Sequence, residues 1–162
     1  MYSRSQLALK YIKYLVVASN GKGHGVHSPF VFDFIVHVLN KYKDSSPDLE
    51  MQIPSFGNHF SLKYQKMVKK ISTYYSSYHV HCFHLDDTEY EGCFSNSGKT
   101  IEQGLENDII VCTGLPASSY TENRWEEIKK NEKVTCSIDL FFVGVLFFKK
   151  DFKEKLDFMI RF

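Results

Sequence analysis

No apolar run in the sequence approaches the roughly 18 residues needed to cross a membrane as a helix. The most apolar early stretch, Tyr11 to Ala18, is short, follows Lys10 and is broken by Lys13, so neither a secretory signal nor a membrane partner is expected. An excess of either charge is also missing. Twenty Lys and Arg face 19 Asp and Glu, and the resulting net charge of +1 gives no basic field for bulk nucleic-acid binding. Close cysteine pairs are absent: Cys82, Cys93, Cys112 and Cys136 form no CxxC. Cys82, Cys112 and Cys136 stand among apolar residues, which predicts small buried hydrophobes in a reducing cytoplasm rather than disulfides or zinc ligands. Glycine is scarce in the middle, where Gly57 is the only one between Tyr42 and Tyr78.

What the chain has in quantity is aromatic residues. Fourteen Phe and ten Tyr predict an aromatic-rich core, because the charge balance removes the basic surface that base-stacking platforms need. With 162 residues, one domain can bury about 70% of the surface of the unfolded chain. No internal repeat or low-complexity tract divides it. A single domain is expected, with a helical N-terminal arm over 1–45 and a shortened α/β core over 46–162.

Periodicity places the elements. Leu7, Tyr11, Tyr14, Leu15 and Ala18 recur at helical spacing and predict a helix over Ser5–Ala18, stopped by Asn20 and Gly21. Ser28 as cap and Pro29 at the first helical position start a second helix through Leu39. That helix is apolar nearly all round and must be covered on more than one side, by the rest of the domain or by a second copy; Phe30–Leu39 is therefore a candidate homodimer surface. Lys43 to Ser55, with Pro47 and Pro54, reads as a loop. A third helix is expected over Leu62–Tyr75, a short one over Thr100–Leu105 and another over Thr121–Lys130, the last with Trp125 and Ile128 inward. Strands are expected at Tyr78–Leu85, Ile109–Cys112, Val134–Leu140 and Phe142–Phe148, with a final edge strand in which Phe158, Ile160 and Phe162 alternate with Met159 and Arg161.

Several motifs suggest chemistry but fail on spacing. Gly21-Lys22-Gly23-His24-Gly25 places Val26 where a dinucleotide loop needs its third glycine, and the segment before it suits a helix better than a strand. Ser97-Gly98-Lys99-Thr100 ends like a P-loop, yet Cys93 occupies the position of the leading glycine. His79, His81, Cys82 and His84 divide between the two faces of a strand, so a metal would need ligands from Asp86, Asp87 or His59; no metal is expected. Asp86 and Asp87 follow a strand, where ligands of open α/β sheets bind and where a carboxylate can grip a hydroxyl, amine or metal or simply stand in a solvated turn. His24 and His27 form a second polar group before the cap at Ser28, suited either to satisfying backbone groups or to lining a pocket.

Two longer stretches carry a family resemblance. Gly23-His24-Gly25-Val26-His27-Ser28-Pro29-Phe30 lies near the start, and Ser137-Ile138-Asp139-Leu140-Phe141-Phe142-Val143-Gly144-Val145-Leu146-Phe147-Phe148 lies near the close. Together with Phe152–Phe162, these stretches resemble the ends of a family of bacterial class I S-adenosylmethionine-dependent methyltransferase-like proteins. The resemblance implies a reduced Rossmann-like α/β sheet with parallel strands near Tyr78–Leu85 and Ile109–Cys112, and antiparallel C-terminal strands. It also implies S-adenosylmethionine as cofactor. By position, Asp86 takes the place of the acid after a late core strand, and Asp86, Asp87, His24 and His27 are the candidate cofactor-binding residues.

The residues in between depart from the family. Only 40–124 separate the two matched stretches, and Gly57 alone stands where a strand, Gly-rich loop and helix are needed. Placing Tyr78–Leu85 on the first core strand instead puts Asp86-Asp87-Thr88-Glu89 where glycines must let the cofactor approach the backbone. Cys112 and Thr113 stand where relatives carry two acids. The expected function is therefore a degenerate, non-catalytic methyltransferase-like protein kept for binding or assembly. The alternatives are an active small methyltransferase with an unknown acceptor, or a truncated gene product.

Overall fold

A computed structural model describes residues 1–19, 27–40, 62–86 and 106–161. The fold is α/β. Among the described residues, five strands form one mixed sheet: β1 (His79–His84), β2 (Asp108–Thr113), β3 (Cys136–Asp139), β4 (Val143–Phe147) and β5 (Leu156–Met159), in the order β1-β2-β4-β3-β5. β1 and β2 are parallel, as expected, with His79 opposite Asp108 and His84 opposite Thr113. β4 runs antiparallel to both β2 and β3, and β5 is parallel to β3. Four strands thus share one direction, and their carboxyl ends lie along one rim of the sheet.

Three of the described helices open where side chains supply the missing partners of the first turn. In α1 (Arg4–Val17), Ser3 accepts from the Gln6 amide, while the Gln6 side chain accepts from the Ser3 amide at 2.9 Å. In α2 (Pro29–Phe34), Ser28 accepts from the Val31 amide and Pro29 occupies the first position, as the sequence indicates. α3 spans Leu62–Tyr74, and α4 (Ser119–Lys130) opens on a reciprocal pair between Ser118 and Thr121. Glu122 lies in the first turn of α4 and Lys129 and Lys130 in its last, which matches the helix dipole.

One expectation is corrected. The helix expected through Leu39 changes at Ile35 into a π-helical segment, Ile35–Asn40. Between β3 and β4, Leu140, Phe141 and Phe142 make the turn, with Phe141 at φ 72°. That conformation is costly for a bulky side chain. Here the Phe141 amide donates to Asp139 Oδ1 at 2.7 Å, and the Leu140 amide donates to the Val143 carbonyl. The last strand ends one residue before the buried Ile160, and Phe162 lies outside the described residues.

Both faces of the sheet are covered. α2, the π-helical segment and α3 bury Val31, Phe34, Ile35, Val38 and Ile71 against Ile109, Val111, Val145 and Phe147. The aromatic residues gather here: Phe30, Phe34 and Tyr75 meet Phe147 edge-on, at centroid distances of 4.9, 5.9 and 5.6 Å. Each such pair adds about 0.5–1.5 kcal/mol beyond its buried area. On the other face, α4 sets Trp125 and Ile128 against Phe83, Ile110, Cys112 and Leu146. β2 is buried at all six positions. The Phe30–Leu39 stretch is largely consumed by this packing, with Phe32 left as its exposed large apolar side chain at 46%. The outer side of α1, by contrast, exposes Leu9, Ile12, Val16 and Val17. Among the described residues, no helix is long and apolar enough to cross a membrane.

Candidate functional site at the carboxyl rim

The carboxyl rim of the parallel strands is where an open α/β sheet receives ligands. At the β1 end, the backbone is tied down on every side. The Leu85 amide donates to the Thr113 carbonyl at 3.0 Å, and Arg124 Nη1 of α4 donates to the Leu85 carbonyl at 2.9 Å. The Asp86 amide donates to His84 Nδ1 at 3.2 Å. The His84 ring lies on Gly114, where a Cβ would stand 2.7 Å from its Cε1; φ +81° at Gly114 further favours glycine. The Asp86 carboxylate is left exposed, and His27 is exposed beside the α2 cap. Asp87, His24, the Gly21–Gly25 loop and Ser97–Thr100 lie outside the described residues.

The described histidines of the strand cluster separate as expected. His81 Nε2 is 3.3 Å from Asp108 Oδ1, while His84 occupies the Gly114 turn. Among the described residues, no group of three metal-ligating side chains converges. Cys82, Cys112 and Cys136 are buried free thiols. Burial pushes Cys82 and Cys136 up to about 12 and Cys112 well above its ordinary value, so all three are poor nucleophiles.

Further along the same rim, past β2, lies a cleft of about 430 Å³. Its walls include Leu115 and Pro116 after β2, Asp139 and Phe141 at the end of β3, and Met159 at the end of β5. Trp125 of α4 and Tyr14 of α1 are also part of them. Neither Asp86 nor His27 lines it. α1 crosses this rim as a strap anchored at both ends. Before the helix, the Tyr2 amide donates to the Ala117 carbonyl; within it, Lys10 pairs with Glu122 of α4 at 2.7 Å. After it, the Ser19 amide donates to the Met159 carbonyl, and the Arg161 amide donates back to Ser19. Between these points the Tyr14 hydroxyl donates to the carbonyls of Asp139 and Ile160.

Asp139 is the distinctive group in the cleft. Burial pushes its carboxyl up to about 6. The Phe141 amide, Lys129 and the Trp125 indole act the other way, and Asp157 adds to the rise. The indole contribution is weak, because Trp125 Nε1 is buried without a hydrogen bond of ordinary geometry. Lys129 is itself committed, to Glu126 at 2.9 Å and to Asp157 at 3.0 Å. The sequence places Asp139 in the closing motif without marking it as a site. The available signal was one acid inside the apolar run Ile138-Asp139-Leu140-Phe141. No family model matches the chain, and no curated protein or solved structure is significantly similar to it.

Proposed function

We propose that the chain is a degenerate S-adenosylmethionine-dependent methyltransferase-like protein. It works without catalysis in the cytoplasm and is kept for binding or assembly. The observation that carries this reading is the β1 end. A cofactor-binding turn there needs backbone amides free to face a ligand. The Leu85 amide is held by Thr113, the Asp86 amide by the His84 ring, and the Leu85 carbonyl by Arg124. The parallel β1–β2 pair and the antiparallel β3–β4 pair agree with the arrangement that the resemblance implies. A role in assembly through Phe30–Leu39 would centre on Phe32, since Val31, Phe34, Ile35, Val38 and Leu39 are buried within the chain.

Titration of the full chain with S-adenosylmethionine and S-adenosylhomocysteine, by calorimetry and thermal shift, tests the proposal. A ligand at 100 times its dissociation constant stabilises by about 2.7 kcal/mol. No saturable heat and no shift are expected at millimolar ligand. Saturable binding of either compound would overturn the proposal and favour an active small methyltransferase.

A further inference from the structure

Among the described residues, the charges that line the rim cleft do not balance: two cations, Lys10 and Lys13, stand against three anions, Glu122, Glu126 and Asp139. Lys10 is bound to Glu122, and Glu126 to Lys129. Lys129, the α4 cation that acts on Asp139, is also held by Asp157 of β5. Neither Lys13 nor any other described cation forms a salt bridge with Asp139, and its Oδ1 accepts from the Phe141 amide. Aromatic rings stand around it. Tyr14 and Phe141 lie 5.1 Å apart between centroids, and Tyr11 packs on Phe141 at 4.9 Å. A carboxylate taken out of water without a counter-charge is costly. A cation bound beside it supplies that charge, and the aromatic faces attract the same cation.

We propose that this cleft binds a small organic ammonium with an apolar body, its nitrogen ion-paired with Asp139 and its body against Tyr14, Trp125 and Phe141. The inference deepens the binding role proposed above and does not depend on S-adenosylmethionine. It carries a pH signature. Among the described residues, the titratable groups that line the cleft or act on Asp139 are Lys10, Lys13 and Tyr14 of α1, Glu122, Glu126 and Lys129 of α4 and Asp157 of β5. Asp139 titrates near 6, and only its charged form pairs with the ligand. Affinity therefore falls about tenfold for each pH unit below that value.

The test compares three probes of similar shape on the full chain: benzylamine, benzyl alcohol and benzoate. Binding is followed by calorimetry and by the fluorescence of Trp125, the single tryptophan. Benzylamine is expected to bind at pH 7.5 at least about tenfold tighter than the other two. Asp139→Asn, which keeps an acceptor for the Phe141 amide, is expected to lose that preference. If this variant does not fold, the wild-type benzylamine series from pH 7.5 to 5 decides. A flat series, equal binding of benzyl alcohol, or undiminished binding by a folded Asp139→Asn each overturns the inference. Saturable S-adenosylmethionine binding with intact amine preference would overturn only the non-catalytic reading. Loss of the amine preference with no S-adenosylmethionine binding would overturn only this inference.

Discussion

Gly144→Ala tests how α4 is seated on the sheet. Gly144 lies in β4 opposite Cys112 and Asp139, and the Trp125 indole covers its Cα. An added Cβ would stand 2.3, 2.6 and 2.7 Å from Cη2, Cζ3 and Cζ2 of that ring. Carbon atoms settle at about 3.5–4.0 Å, so the ring must retreat by roughly 1 Å. The ring has little room to give, because Trp125 is only 3% exposed and packed within a buried cluster. Such overpacking costs about 1–3 kcal/mol. Removing a glycine from a strand returns about 0.5–1 kcal/mol. The net loss is about 1–2 kcal/mol, which lowers Tm by roughly 2–8 °C in a domain of this size. Urea unfolding followed by far-ultraviolet circular dichroism measures it, and Trp125 fluorescence reports whether the indole has moved. In a Trp125→Leu background the same substitution should cost less than about 0.5 kcal/mol, since the overlapping ring is gone. A single variant as stable as the wild type, or a full penalty persisting without the indole, would refute this account.

Two further outcomes are expected. Burial raises the Asp139 carboxyl from 3.8 to about 6, so between those values the folded chain holds a proton that the unfolded chain has released. Its contribution to stability is complete below about pH 4 and is lost as pH rises through about 6, a loss of up to about 3 kcal/mol. Asp139→Asn should remove that slope and be the more stable form at pH 7.5. Urea midpoints at pH 5 and 7.5 check this, and a less stable variant at pH 7.5 contradicts it. Tyr14→Phe leaves the carbonyls of Asp139 and Ile160 without their shared donor and should cost about 1–3 kcal/mol. An unchanged melting temperature would show that this hydroxyl does not hold α1 on the rim.

Most of the described elements were legible because their signals are local. Ser28-Pro29 marks a helix start through one side-chain acceptor and one missing donor, and both appear in the α2 cap. The apolar run Ile109–Cys112 signalled a buried strand, and β2 is buried throughout. The candidate site was less legible. Asp86 was legible from its position after a strand, and it does sit at a parallel strand's carboxyl end. No sequence rule, however, indicated that its neighbouring amides would be taken up by His84 and Thr113. The π-helical turn at Ile35 likewise left no local signal, since Val31, Phe34, Ile35, Val38 and Leu39 keep a spacing that suits an ordinary α-helix.

Apart from the π-helical segment, the sequence by itself determined the kinds and order of the described elements, the aromatic character of the core and the absence of a strong charge field. These follow from composition, period and capping, which act over a few residues. Tertiary structure alone decided that β4 enters between β2 and β3, and that α1 straps the rim from Ala117 to Met159. It also decided that Asp139, within an apolar run, faces a cleft beside Trp125 and Tyr14. Each of these depends on residues far apart in the chain meeting at one edge of the sheet. Such meetings are set by strand register and by packing on both faces, which no local pattern specifies.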